Sequence, residues 1–400
     1  MENLIARLNE RLHKIALFRW IWPSSDQAEQ SAPAVVLEDL PSAIRHCLLT
    51  TIQQLPTHPD IRAYIRSEVL DQLSQWQGKS ENGCNSLVFL GRPTLEINHL
   101  VPDSLADWLG QQIYATPETI HILDWQVRPP SIDILLSQLK QSLQVALNGD
   151  RSTVKIVVIP NLNWCFLRSA EGLDGIEYLQ QQIQDNPQIF WIIGAGQVAW
   201  EYLNSVLHIE AYCPLQRIIP ALSGEQLQLW LKPMVRENQL QFPVQSISDK
   251  LNQVRQPDDA QDQSTSLETA FFERLADISA GIGLITTQIF LRSIYQDSEA
   301  DLQPSESHQL MLTWPATPSF PDIDRDDSYV LYSLLMHGDL SLPQLAESLG
   351  DPIEQVNAAI QNLRRLGLIE QQGSILQVNP IYYLPLCDRL SRENFVIPQK

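Results

Sequence analysis

Between residues 87 and 194, short apolar runs alternate with helix-period stretches, a pattern that few architectures accept. Leu87-Val88-Phe89-Leu90, Ile120 to Trp125, Val154 to Ile159 and Ile189 to Gly194 are rich in β-branched and aromatic residues, and each ends at a glycine, a proline or a polar turn. Runs of this kind are buried on both faces, as strands of a parallel sheet under helices are. The intervening segments supply the helices: a short one over Ser104–Leu109 started by Asp103 or Ser104, one from a Ser131 cap through Leu147, and one over about 175–184. The expected fold class is therefore α/β, a parallel sheet with flanking helices. At 400 residues the chain exceeds what one core usually serves, so further domains are expected on either side.

Those flanks read as helical. Residues 38–77 carry Leu40, Ile44, Leu48, Ile52 and then Ile61, Ile65, Val69, Leu73 and Trp76 at helical spacing. From Ser223 a helical region runs to Tyr295, with a polar, mobile stretch expected at 244–266 and a break at Gly281-Ile282-Gly283. Residues 326–384 resemble a winged helix. A first helix holds Tyr329 to Leu335, a second starts at Ser341 and stops at Gly350, and a third is capped by Asp351 with Pro352 at its first position. A hairpin then turns through Glu370 to Ser374 and returns along Ile375–Val378. The expected divisions are an N-terminal helix and linker (1–33), a helical region (34–84), the α/β core (85–222), a helical region (223–295), a linker (296–325), and the winged helix with a C-terminal tail (326–400).

The order strand, glycine turn, helix and three further strands, followed by Ala221-Leu222-Ser223-Gly224-Glu225-Gln226-Leu227 and by Ile278-Ser279-Ala280-Gly281-Ile282-Gly283, resembles the AAA+ and STAND group of P-loop ATPases over roughly residues 85–295. The resemblance implies a P-loop-type core, with residues 223–295 as its helical lid. It also implies a nucleotide site after the first strand, where this chain departs from the pattern. A working P-loop needs glycine amides around the phosphates, a Lys on the β/γ-phosphates and a Ser/Thr on magnesium. Gly91, Arg92, Pro93 and Thr94 occupy that place, with no Gly-Lys-Ser/Thr, and Glu96 repels phosphate. These four are a degenerate nucleotide site that is expected not to function; an aberrant P-loop using Arg92 and Thr94 is the alternative. Where the family carries acids for magnesium and water, the chain reads Pro160-Asn161-Leu162-Asn163. The next strand ends without a polar sensor residue, and Leu284-Ile285 stand in place of the lid's sensing Arg. Gly194-Ala195-Gly196 lacks the third glycine of a dinucleotide fingerprint. No catalytic residue, metal site or cofactor is expected, and hydrolysis is not expected either.

Function then falls to surfaces. The third helix of the winged module presents Glu354, Gln355, Asn357, Gln361 and Arg364, and residues 326–400 hold nine Asp/Glu against five Lys/Arg, a net of −4. Duplex binding depends on cations that neutralise phosphates, so protein contact is expected here and DNA is disfavoured; a DNA-binding regulator is the alternative. The net charge of the whole chain, −20, points the same way. Residues 1–22 are expected to form an amphipathic helix with Leu4, Leu8, Leu12, Ile15, Phe18, Trp20 and Trp22, and the four basic residues of this stretch exceed its two acids. It is expected to lie on a partner's helix or on a membrane surface. Five scattered cysteines without a C-x-x-C pair imply a reducing, cytoplasmic setting, peripheral to a membrane if the helix binds one. The combined expectation is a catalytically inactive AAA+/STAND-like scaffold or adaptor with protein partners of unknown identity.

Overall fold

The computed structural model describes residues 40–77, 84–112, 120–125, 127–147, 155–243, 260–296 and 310–398. The N-terminal residues Leu4 to Trp22 lie outside them. Two helices, α1 (Ser42–Gln53) and α2 (Pro59–Gln77), precede the sheet. The core then runs β1 (Ser86–Gly91), α3 (Thr94–Gln112), β2 (Ile120–Ile122), α4 (Ile132–Leu147), β3 (Lys155–Ile159), α5 (Asp174–Asp185), β4 (Ile189–Gly196), α6 (Gln197–Leu207) and β5 (Gln216–Ile218). All five strands are parallel, in the order β2-β3-β4-β1-β5. Every residue of β1 and of β4 is buried, as their continuous apolar runs require.

Chain direction fixes where a crevice opens. From β1 the chain crosses β4 and β3 to reach β2, whereas from β4 it crosses β1 the other way to reach β5. With right-handed crossovers, α3 lies on one face and α4, α5 and α6 on the other. The carboxyl ends of β1 and β4 therefore flank the topological switch point, where α/β sheets open a binding crevice.

After the sheet come α7 (Gly224–Glu237), α8 (Ala260–Ser279) and α9 (Gly283–Arg292), then an antiparallel pair, β6 (Ile294–Gln296) and β7 (Leu310–Leu312). Ser223 and Gln226 form a reciprocal capping box at the start of α7. The C-terminal module is α10 (Arg325–His337), β8 (Leu340–Ser341), α11 (Leu342–Leu349), α12 (Ile353–Arg365), β9 (Ile369–Gln372) and β10 (Ile375–Val378), with sheet order β8-β10-β9, followed by α13 (Tyr383–Arg392). That is a winged helix. The parallel sheet with flanking helices, the helical region after it and the winged helix are the architecture expected.

Several elements differ from the sequence reading. The short helix at Ser104 is part of α3, which begins ten residues earlier and runs through Pro102. Burial of Ile97, Val101 and Leu105 offsets the hydrogen bond that the proline deletes. Strand β5 departs from the expected pattern because Gln216-Arg217-Ile218 is an edge strand paired, among the described residues, with β1 alone, and its polar side chains remain in contact with solvent. Helix α8 starts at Ala260, inside the stretch read as mobile, and β7 lies inside the stretch read as a linker. Asp351 does not cap α12; Pro352 holds that place, without a side-chain bond. Glu370 to Gln372 are strand, so the hairpin turn is only Gly373-Ser374. The tail after the wing is a helix.

Candidate functional site: the crevice at the end of the sheet

Gly91 ends β1 beside Gly196 at the end of β4, and Thr94 already begins α3. Only Arg92 and Pro93 separate strand from helix. Proline has no N–H to offer, so this connection lacks the row of amides that cradles a phosphate. Thr94 is buried, and its hydroxyl donates to the carbonyl of Leu335, in the last turn of α10, at 3.2 Å. Of the four residues at this turn, Pro93 and Thr94 thus face the C-terminal module of the same chain.

The rest of that last turn is held by Asn163, which the sequence marks only as standing where acids are missing, and by Arg128, which no sequence pattern marks. A helix leaves its final carbonyls without intrahelical donors, and they form its negative end. Gly338 N–H bonds Leu334 O within the helix cap. The next three carbonyls are taken by three different segments of the core, each just past the end of a strand. Thr94 takes Leu335, Asn163 Nδ2 donates to Met336 O at 2.5 Å, and Arg128 Nη2 donates to His337 O at 3.0 Å. Asn163 follows β3 in a 3₁₀ turn, Leu162–Cys165, whose start Asn161 caps by accepting Asn163 N–H. Its Oδ1 accepts Gly196 N–H at 2.9 Å, so one amide ties the ends of β3 and β4 to the docked helix.

Arg128 is the centre of this seam. It follows β2 and is buried, with Nη1 donating to Phe166 O at 2.8 Å, Nη2 also to Asn163 O at 2.7 Å, and Nε to Asp339 O at 3.1 Å. Its charge is met by the Asp339 carboxylate at 3.6 Å, which in turn accepts Trp164 Nε1–H at 2.8 Å. Burial pulls the guanidinium pKa down and Asp339 opposes it; an arginine stays charged here all the same. Gln344 donates to Pro129 O, and Arg168 donates to Ser348 O, which extends the seam to α11. His337 is fully buried against Phe166, with ring centroids 4.7 Å apart, and its Nε2 accepts Arg168 N–H, which makes it the neutral Nδ1–H tautomer. Desolvation first, then Arg128 and Arg168, hold its pKa well below the ordinary histidine value.

The lid side of the crevice is filled as well. Glu96, in the first turn of α3, accepts the backbone N–H groups of Gly283 and Leu284 at the start of α9. A Cβ on Gly283 would lie 2.6 Å from Glu96 Oε1, so glycine is what lets the carboxyl approach. Desolvation in the seam pushes the Glu96 pKa up to about 8 despite those two donors. Between Pro93, Thr94, Leu334, Leu335 and Tyr383 a void of about 10 Å³ remains, about enough for one water. Among the described residues no group of three or more His, Cys, Asp or Glu is placed to hold a metal ion.

Gly196 tests this geometry. Its φ of −73° suits any residue, so glycine is required for space alone. A Cβ would run into Thr94 Oγ1 and approach Asn163 Nδ2 to 3.1 Å. Gly196→Ala is expected to lower stability by about 1–3 kcal/mol, as overpacking does, read as an earlier urea midpoint. An unchanged midpoint would show that Thr94 and Asn163 are free to move.

Elsewhere, Glu354, Gln355, Asn357, Gln361 and Arg364 are all exposed on α12, on the face expected. Trp191 and Trp200 are fully enclosed. Among the described residues no helix is long and apolar enough to cross a membrane.

No protein-family model matches this chain, and no curated protein does. Solved structures that it resembles include the ORC1 protein of Aeropyrum pernix in complex with DNA, at 10% identity and a TM-score of 0.35, over 84% of this chain and 94% of that one. The RuvB Holliday junction branch migration motor of Thermotoga maritima matches at 14% identity and a TM-score of 0.27, over 81% and 94%. PCH-2 of C. elegans matches at 10% and 0.34, over 77% and 71%.

Proposed function

We propose that this chain is a non-hydrolysing AAA+/STAND-like protein that works as a protein-binding scaffold or adaptor. Its nucleotide crevice serves as the seat of its own winged helix. The observation that carries this reading is the last turn of α10, whose three carbonyls are bonded by Thr94, Asn163 and Arg128 at the switch point of the sheet. The negative end of a helix occupies the place of an anionic ligand, and the protein donors there are spent on it. Lysine is missing from the turn after β1 and acids from the turn after β3, so neither triphosphate nor magnesium has its usual partners. The scaffold is proposed to act in the cytoplasm, with residues 1–22 as its attachment to a protein or membrane surface.

Titrating ATP-Mg while following intrinsic tryptophan fluorescence, with phosphate release assayed alongside, tests the reading. Trp164 reports directly, through its bond to Asp339 across the seam. The expected result is no saturable change and no turnover above buffer. Saturable binding with turnover would replace the scaffold reading with that of an atypical ATPase.

A further inference from the structure

The three-stranded wing has a free edge. Among the described residues β9 pairs only with β10, and none of them adds a strand on its other side. Asn379 N–H bonds Leu368 O, which sets the hydrogen-bonded positions at Leu368, Glu370 and Gln372. Ile369 and Gln371 therefore turn their N–H and C=O groups outward. Among the described residues no backbone group outside the hairpin bonds to either. This edge borders a groove of about 580 Å³, whose other wall is the end of α12 with Gln361, Arg364 and Arg365. Both arginines are exposed, and the ion pairs among the described residues use other side chains. The groove's single acid, Glu370, accepts a bond from Gln377.

An unpaired strand edge and an unpaired guanidinium pair thus share one groove, on the side of the module that the seam leaves free. The geometry points to β-strand addition: an extended acidic peptide segment of a partner protein pairs with β9 through Ile369 and Gln371, and its carboxylates meet Arg364 and Arg365. Nucleic acid fits less well, since strand pairing uses peptide groups and the wing has no Lys or Arg of its own between Glu370 and Gln377. A second copy adding β9 to β9 would bring the two arginine pairs together. The inference takes from the scaffold reading only the premise that the chain binds protein, and its failure would leave the ATP titration result as it stands.

The test uses the full chain and fluorescein-labelled peptides of about ten residues, long enough to span β9. One alternates Glu with Thr, one alternates Lys with Thr, and a third is the Glu-Thr peptide N-methylated at every peptide bond, so that neither of its edges can donate. Anisotropy is expected to show saturable binding of the Glu-Thr peptide alone. The double variant R364E/R365E is expected to weaken it roughly tenfold or more, as loss of charge-assisted contacts does. Gln371→Pro removes an outward N–H without touching the β9–β10 ladder, and is expected to weaken binding comparably while the melting curve holds. The N-methylated peptide asks the same question of an unaltered protein. No saturable binding, equal binding of the Lys-Thr peptide, or indifference to N-methylation would overturn the proposal. So would a duplex DNA probe that binds where the peptides do not, or self-association in sedimentation velocity that Gln371→Pro abolishes.

Discussion

Arg128→Ala is expected to detach the winged helix from the core. The substitution removes the donor to four carbonyls, those of Phe166, Asn163, His337 and Asp339, and leaves the Asp339 carboxylate largely buried without its cation. Removing one member of a buried ion pair costs about 3–5 kcal/mol, because the charge left behind has lost both water and partner. For domains of this size that is a fall in melting temperature of roughly 10 °C. The decisive readout is cooperativity. If the seam couples the halves, the wild type melts in one transition and the variant in two, and Trp164 emission shifts with the first. Arg128→Lys should recover only part of the loss, since a point charge cannot serve carbonyls on both sides of the seam as a planar fork does. A variant that melts as the wild type does would show that apolar packing alone holds the module.

Why the sequence disclosed the fold better than the site follows from where each signal resides. Val157, Ile192 and Phe89 are buried on both faces, and that demand is local, written as uninterrupted apolar runs. Ser341, Gln344 and Gly350 mark the limits of α11 for equally local reasons, a capping box and a left-handed stop. The departures arise where a long-range partner overrides the local signal. Arg217 reads as a poor strand residue until Glu68 is found beside it, 149 positions away. The absence of a lysine after β1 and of acids after β3 was legible, because such a residue is either present or absent at a given turn. What fills the crevice was not. Arg128 stands alone before Pro129-Pro130, with nothing in its neighbourhood to mark it, and the carbonyl it seeks lies 209 residues further on. Glu96 was legible only as a charge that repels phosphate; its use against α9 depends on a lid whose approach no local pattern encodes.

Two titratable groups of the crevice, the buried His337 and the half-buried Glu96, give the molecule a pH profile with separable limbs. His337 is neutral at its site, facing Arg128 and Arg168, with Asp339 committed to Arg128. Above the ordinary histidine value, near 6.5, it is neutral folded or unfolded and exerts no pull. Below that value the unfolded chain takes up a proton that the seam refuses, so stability falls as pH drops. Glu96 has the opposite sign. With a folded pKa of about 8 against an ordinary 4.5, it is protonated in both states at low pH, and its contribution is then fully present. As pH rises from 4.5 toward 8, the unfolded carboxyl ionises while the folded one does not, and stability is lost. Each unmatched proton is worth about 1.4 kcal/mol per pH unit. Between 4.5 and 6.5 the two slopes therefore oppose each other, and between 6.5 and 8 only that of Glu96 acts. Glu96→Gln keeps an acceptor for the Gly283 and Leu284 N–H groups but cannot titrate, so relative to the wild type its stability should gain steadily from pH 5 to pH 8. His337→Gln should gain relative to the wild type only on the acid side, below about pH 6.5, because it removes the group that penalises docking there. Urea midpoints of the three proteins across this range decide the matter. Parallel profiles for wild type and Glu96→Gln would mean that the carboxylate is already ionised against α9, and that the lid is held by a charge and not by a neutral acid.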